Sequence, residues 1–115
     1  MNTSEPKAIN LSKEEFETFL LIYAAHVDYN YSDQEKTFIL ARTTQDVLEK
    51  MENIFFNYGD YSCMKIILQH KEKHYSCEKE KERIFLLLKK IFEIDGDYSR
   101  IEKSFIDFFK KMIEI

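Results

Sequence analysis

The chain is poor in the residues that bend or brace a backbone. Two glycines and one proline in 115 residues leave too few turn formers for a sheet-rich or loop-rich fold, and this favours helix. Two cysteines, Cys63 and Cys77, are too few for a disulfide scaffold, so free thiols in a reducing cytoplasm are expected. The longest apolar run, residues 19–25, is far too short to span a bilayer, so no membrane insertion is expected. Positive charge is not in excess either. Seventeen Lys and Arg against 21 Asp and Glu give a net charge of −4, which argues against the basic face that a nucleic-acid partner needs. Lys89, Lys90, Lys103, Lys110 and Lys111 read as a solvated helix face. The first residues are polar, include Pro6 and show no secretory pattern, so residues 1–11 are expected to be a flexible lead-in.

What remains is ordinary globular material: 44% hydrophobic and 33% charged residues, enough for one domain, residues 12–115, with a core of its own. The apolar spacing predicts an all-α fold of about six helices and no strand. Ser12-Lys13-Glu14-Glu15 is a capping box that starts helix one, in which the Ser oxygen and the Glu carboxylate each take a free backbone N–H. Phe16, Phe19, Leu20, Tyr23, Ala24 and Val27 then make one apolar face, and the helix stops near Asp28. A second box at Ser32 opens helix two. Helix three opens at Thr43 or Thr44, with Val47, Leu48, Met51, Ile54 and Phe55 inward. Helix four runs over about 61–73, helix five starts near Ser76, and helix six starts at a third box, Ser99 to Glu102. The mixed-charge run 78–83 is expected to be solvated, with local ion pairs worth tenths of a kcal/mol.

One phrase is written twice. DYNYSDQEKTFI at 28–39 and DGDYSRIEKSFI at 95–106 are identical at seven positions, at a constant offset of 67 with no gap. Chance gives about one match in such a window at average residue usage. The copies pair helices one and two with helices five and six as duplicated αα-hairpins, bridged by helices three and four. Ser32, Glu35, Ser99 and Glu102 are explained as helix caps. Phe38, Ile39, Phe105 and Ile106 are core positions, and Tyr31 and Tyr98 are placed to act as staples ahead of the caps.

Capping does not explain Asp28 and Asp95. Each follows a helix C-terminus, where the dipole is negative and a carboxylate costs about 0.3–1 kcal/mol, and Asp97 adds a further charge. A cation nearby is the natural remedy, either Lys or Arg or a metal ion. Asp28, Glu35, Asp95, Asp97 and Glu102, with Asn30, supply the hard oxygens that Ca²⁺ and Mg²⁺ prefer over the softer set that suits Zn²⁺. The second copy is not an EF-hand. Asp95, Asp97 and Ser99 fit the first, third and fifth loop positions, but Arg100 replaces the Gly and Ile106 replaces the Glu that the loop requires. The first copy is weaker still, because Tyr29 and Asn30 stand where Gly96 and Asp97 stand in the second. The phrase Gly59-Asp60-Tyr61-Ser62 echoes the repeat but has Lys65 in place of the Glu, and it reads as a capped helix break.

His70 and His74 share a helix face, with Cys77 nearby. No fourth zinc ligand accompanies them, so two exposed histidines are expected. Neither Cys63 nor Cys77 stands in a nucleophile motif, and no phosphate-cradling glycine loop exists, so no enzymatic activity and no organic cofactor are expected. A metal-dependent hydrolase remains the enzymatic alternative. A purely structural interaction or oligomerisation domain is the alternative without a metal.

Residues 19–28, FLLIYAAHVD, followed by Tyr31, Ser32 and Glu35, resemble the first hairpin of the tellurite-resistance TerB-like domains. Residues 91–99, IFEIDGDYS, with Glu102 and the closing Met112-Ile113-Glu114-Ile115, resemble the second. The resemblance covers nearly the whole chain from Ser12 onward. It implies an internally duplicated all-helical bundle with an acidic, divalent-cation-binding centre, carried here by Asp28, Glu35, Asp95, Asp97 and Glu102. It also implies a stress-linked interaction or scaffold role towards a protein partner, without enzymatic activity. Members of that family occur alone and fused to other modules, including the N-terminal part of a DnaJ-type cochaperone.

Overall fold

The computed structural model describes residues 9–26, 31–94 and 100–113; the side chains of residues 100–102, 108, 112 and 113 lie outside that description. Seven helices follow one another among the described residues, without a strand: α1 (Lys13–Ala25), α2 (Asp33–Leu40), α3 (Gln45–Asn57), α4 (Asp60–Gln69), α5 (Lys71–His74), α6 (Glu78–Phe92) and α7 (Arg100–Ile113).

Two of the helix starts are held as the sequence predicts. At α1, Ser12 Oγ accepts from the Glu15 N–H at 3.1 Å and the Ser12 N–H donates to Glu15 Oε1 at 3.0 Å. At α2 the same exchange joins Ser32 and Glu35, at 3.1 and 2.8 Å. At α3, Thr44 is the cap, and its Oγ1 accepts from the Val47 N–H. The cap of α6 is Cys77 rather than Ser76, without a side-chain bond. Gly59 caps α4, again without a side-chain bond, and Ser62 lies buried inside that helix. Ser99, expected to start α7, lies outside the described residues.

Helix α1 departs most from expectation. One apolar face is predicted, yet every residue from Thr18 to Ala25 is buried. The sequence 19–25 is apolar without interruption, and such a helix is stable in water only when neighbours cover it all round. Here α3 and α6 lie along it, and α2 and α4 also pack against it. The polar exception, Thr18, donates its hydroxyl to Glu14 O at 2.9 Å, which removes the cost of burying it. Helix α3, expected only to bridge two hairpins, forms one wall around α1. Helix α6 forms another with Ile84, Leu87, Leu88, Ile91 and Phe92. Of the repeat's core positions, Ile39 and Ile106 are buried and Phe38 and Phe105 are half-buried.

The rim of α1 is tied to the same neighbours. Glu15 pairs with Lys50 of α3 at 2.9 Å, Lys13 pairs with Glu80 of α6 at 3.2 Å, and Glu17 pairs with Arg83 of α6. Arg83 and Glu80 thus look inward to α1 as well as to each other, so the run 78–83 is not wholly a solvated face. The cation of each pair, Lys13, Lys50 or Arg83, stays well exposed while Glu15 and Glu17 are mostly covered, so each pair contributes about 1 kcal/mol, and their arrangement orients the helices more than it binds them.

Truncation inside the covered helix is therefore costly. Phe19→Ala is expected to lose about 3–5 kcal/mol in urea or thermal unfolding, while Leu86→Ala, at an exposed site on α6, stays within about 0.5 kcal/mol. Equal effects at the two sites are the result that contradicts an enclosed α1.

Candidate functional site: the repeated carboxylates and the histidine corner

Of the five carboxylates expected at an ion site, Glu35 alone has a described side chain. Asp28, Asp95 and Asp97 lie outside the described residues, and so does the side chain of Glu102, whose backbone belongs to α7. Glu35 is 1% exposed, and its Oε1 accepts from the Ser32 N–H, so its capping role is realised. Among the described residues, no group of three or more His, Cys, Asp or Glu side chains is arranged to hold a metal ion.

The flanks of the first loop are well defined. His26 ends α1, and its Nδ1 lies 2.7 Å from Ile22 O. The carbonyl can only accept, so Nδ1 carries the proton. The His26 ring packs against Tyr31 with centroids 4.5 Å apart, and against Phe55 at 4.4 Å. The two residues that bracket positions 27–30 therefore touch each other. Tyr31 does not act as a simple apolar staple: its hydroxyl donates to Glu52 Oε2 at 2.8 Å. Burial first, and then the Glu52 carboxylate, push the Tyr31 phenol well above its ordinary range. Lys36 lies 3.7 Å from the same Glu52 oxygen.

The two helix ends that precede the repeated acidic phrase are unequal. The last turn of α1 contains no basic residue, whereas that of α6 contains Lys89 and Lys90. The negative end of the α6 dipole thus has local cationic compensation and that of α1 has none from its own last turn.

A second polar assembly sits at the α4–α5 corner, where two exposed histidines are expected. His70 is instead buried. Its Nε2 accepts from the Leu11 N–H at 3.0 Å, and its Nδ1 faces Ile66 O at 2.8 Å. An amide N–H on one nitrogen and a carbonyl on the other require the neutral ring protonated at Nδ1. The second histidine, His74, is half-buried, and its Nε2 donates to Leu11 O at 2.8 Å. Lys73 Nζ also donates to Leu11 O, at 3.0 Å, and to Asn10 Oδ1 at 2.5 Å. Both peptide groups of Leu11 are thereby satisfied by side chains about sixty residues away in sequence. Phe16 of α1 stacks on His70, His74 and Tyr75.

The same ring breaks the predicted fourth helix. In an uninterrupted helix Ile66 O accepts from the His70 N–H. Here the imidazole Nδ1–H takes that carbonyl, the His70 N–H turns to Ile67 O at 3.2 Å, and the chain restarts as the single turn of α5. Burial holds the His70 pKa below its ordinary value; the Ile66 carbonyl opposes that shift, and the charges of His74 and Lys73 add to it. The spacing of His70 and His74 is visible in sequence, but nothing local points to Leu11 as their partner.

The thiols divide in the same way. Cys63 is buried, its Sγ faces Phe55 O and Tyr58 O, and burial, then the Asp60 charge, push the thiol up to about 11. A thiol so placed is a poor nucleophile at neutral pH. Cys77 is exposed at the start of α6.

Compared with families of known proteins, with characterised proteins and with solved structures, the chain matches none.

Two measurements check this arrangement. Ser32→Ala is expected to destabilise the protein by about 1 kcal/mol through the lost cap, equally in chelator and in millimolar Mg²⁺; a loss seen in one condition alone contradicts a purely capping Ser32. In native protein a maleimide followed by mass spectrometry is expected to label Cys77 quickly and Cys63 only after denaturant is added. Equal labelling of both is the contrary outcome.

Proposed function

We propose that the chain is a non-enzymatic, TerB-like helical interaction module, stress-linked and cytoplasmic, that engages a protein partner and carries an acidic divalent-cation site in its repeated loops. The observation that carries the reading is the doubled phrase itself. It sets Asp28 and Asp95 just beyond helix ends in both copies, and α1 has no basic residue in its last turn to offset the charge. A bound Ca²⁺ or Mg²⁺ supplies that offset through carboxylate oxygens. Asp95, Asp97 and Glu102 give the second loop more such oxygens than Asp28 and Glu35 give the first, so the second loop is the stronger ligand set. The non-enzymatic part is supported by the sequestered Cys63 thiol and by the engagement of both His70 nitrogens with backbone groups.

A second reading, a structural interaction domain without metal, is favoured by one observation on each copy. Glu35 is committed to the α2 cap, and Lys89 and Lys90 stand in the last turn of α6. Titration calorimetry of the whole chain with Ca²⁺, Mg²⁺, Mn²⁺ and Zn²⁺ separates the two. The cation reading expects heat with a hard divalent ion, lost in Asp95→Asn and reduced less in Asp28→Asn. The metal-free reading expects no heat at millimolar ion, and Asp95→Asn as stable as the parent or more so.

A further inference from the structure

The Leu11 clamp is built so that one ring can open it. We propose that the His70–His74 pair is an acid-sensitive latch: protonation of His70 at Nε2 releases residues 9–12 from the α4–α5 corner and withdraws Leu11 from the core. Leu11 is 2% exposed and belongs to the main core cluster, so its release opens an apolar part of the core that is covered at neutral pH.

The argument is one of donors and acceptors. His70 Nε2 is the acceptor for the Leu11 N–H at 3.0 Å, while its Nδ1–H is already spent on Ile66 O. Adding a proton turns Nε2 into a donor aimed at another donor. The Leu11 N–H then has no acceptor in a buried corner, and both groups lose a bond at once. The new charge is also badly placed. The groups that face it are the Lys73 ammonium, which reaches Leu11 O and Asn10 Oδ1, and His74, whose ring stacks on His70 with centroids 5.5 Å apart. From α1 it meets the apolar Phe16 ring, and the buried Tyr75 hydroxyl donates to Ile67 O rather than to the imidazole. The Phe16 face offers an imidazolium a cation–π contact, but none of these groups supplies Nε2–H with an acceptor or the ring with a counter-charge.

The pair is asymmetric, which makes the latch specific. His74 Nε2 already donates to Leu11 O at 2.8 Å, so a proton added at its Nδ1 leaves that bond in place. Of the two rings, His70 is the one whose charge state is incompatible with the clamp.

The sign of the pH dependence follows from linkage. Once released, His70 is an ordinary histidine with a pKa of about 6.5, whereas in the clamp burial lowers it. The released state therefore binds more protons. The clamp is fully stable above about pH 6.5, weakens by up to about tenfold per pH unit below it, and levels off once clamped His70 itself titrates.

Native-state hydrogen exchange of the whole chain from pH 7.5 to pH 4, read as protection relative to intrinsic amide rates, tests the latch. The Leu11 amide is expected to lose protection by up to about tenfold per pH unit below pH 6.5, while Leu20 in the middle of α1 keeps its own. In His70→Gln, the amide oxygen stands close to the place of Nε2 and cannot titrate, so Leu11 protection is expected to be flat with pH. A flat profile in the parent protein overturns the proposal, as does a Leu11 profile that merely follows Leu20 or a pH dependence that survives His70→Gln. If that variant does not fold, ¹⁵N-imidazole spectra of the parent decide. A neutral His70 ring protonated at Nδ1 at pH 7, whose titration coincides with loss of the Leu11 amide protection, is expected. A ring protonated at Nε2, or a titration that leaves Leu11 protected, overturns it.

Discussion

Helix α1 has no face to give to solvent between Thr18 and Ala25, and the rest of the fold is arranged by the need to cover it. A one-sided amphipathic helix can rest on a single neighbour. A helix apolar on all sides needs walls around its whole circumference, because exposed apolar area costs about 25 cal/mol per Å². Helices α3 and α6 supply two of those walls, α2 and α4 also pack against α1, and Phe105 of α7 lies against Tyr23. The polar chemistry is pushed outward by the same requirement. Glu15 and Glu17 on the rim of α1 reach Lys50 and Arg83 on its two main neighbours, and the buried Thr18 bonds back to its own helix.

Enclosure also explains the histidine corner. Residues 9–12 lead directly into α1, and Leu11 enters the core there. Its peptide N–H and C=O go with it and need partners, since an unpaired buried backbone group costs about as much as a lost hydrogen bond. Among the described residues no neighbouring backbone offers them. His70, His74 and Lys73 do so from the side, and the geometry that lets His70 reach Leu11 ends α4 one turn early. One ring thus accounts for a helix break, a buried polar residue and an anchored segment.

The legible part of the sequence was local. Ser12–Glu15 and Ser32–Glu35 each close a capping box between residues three apart, so no distant contact is needed to read them. The inward positions of α3, Val47, Leu48, Met51, Ile54 and Phe55, follow from helical period alone and are buried or half-buried in the fold. For the candidate site the same locality limits what can be read. The repeat identifies Asp28, Glu35, Asp95, Asp97 and Glu102 as oxygen donors, but whether donors from the two copies face one another depends on tertiary packing. Glu35, the one of these with a described side chain, shows the difficulty: a carboxylate that suits an ion equally suits a cap, and here the cap holds it.

The sequence by itself determined that this protein is helical, where two of its helices begin and which residues are apolar enough to need burial, because these properties act over one or two turns of chain. Tertiary structure alone decided that α1 is enclosed rather than one-sided and that Arg83 turns towards Glu17. It also decided that His70 is a buried neutral acceptor rather than an exposed base. Each of these depends on groups brought together from far apart in the chain, Leu11 and His70 above all. The energy that fixes them is the cost of leaving apolar surface wet or a buried polar group unpaired, and that cost is defined only once the neighbours are in place.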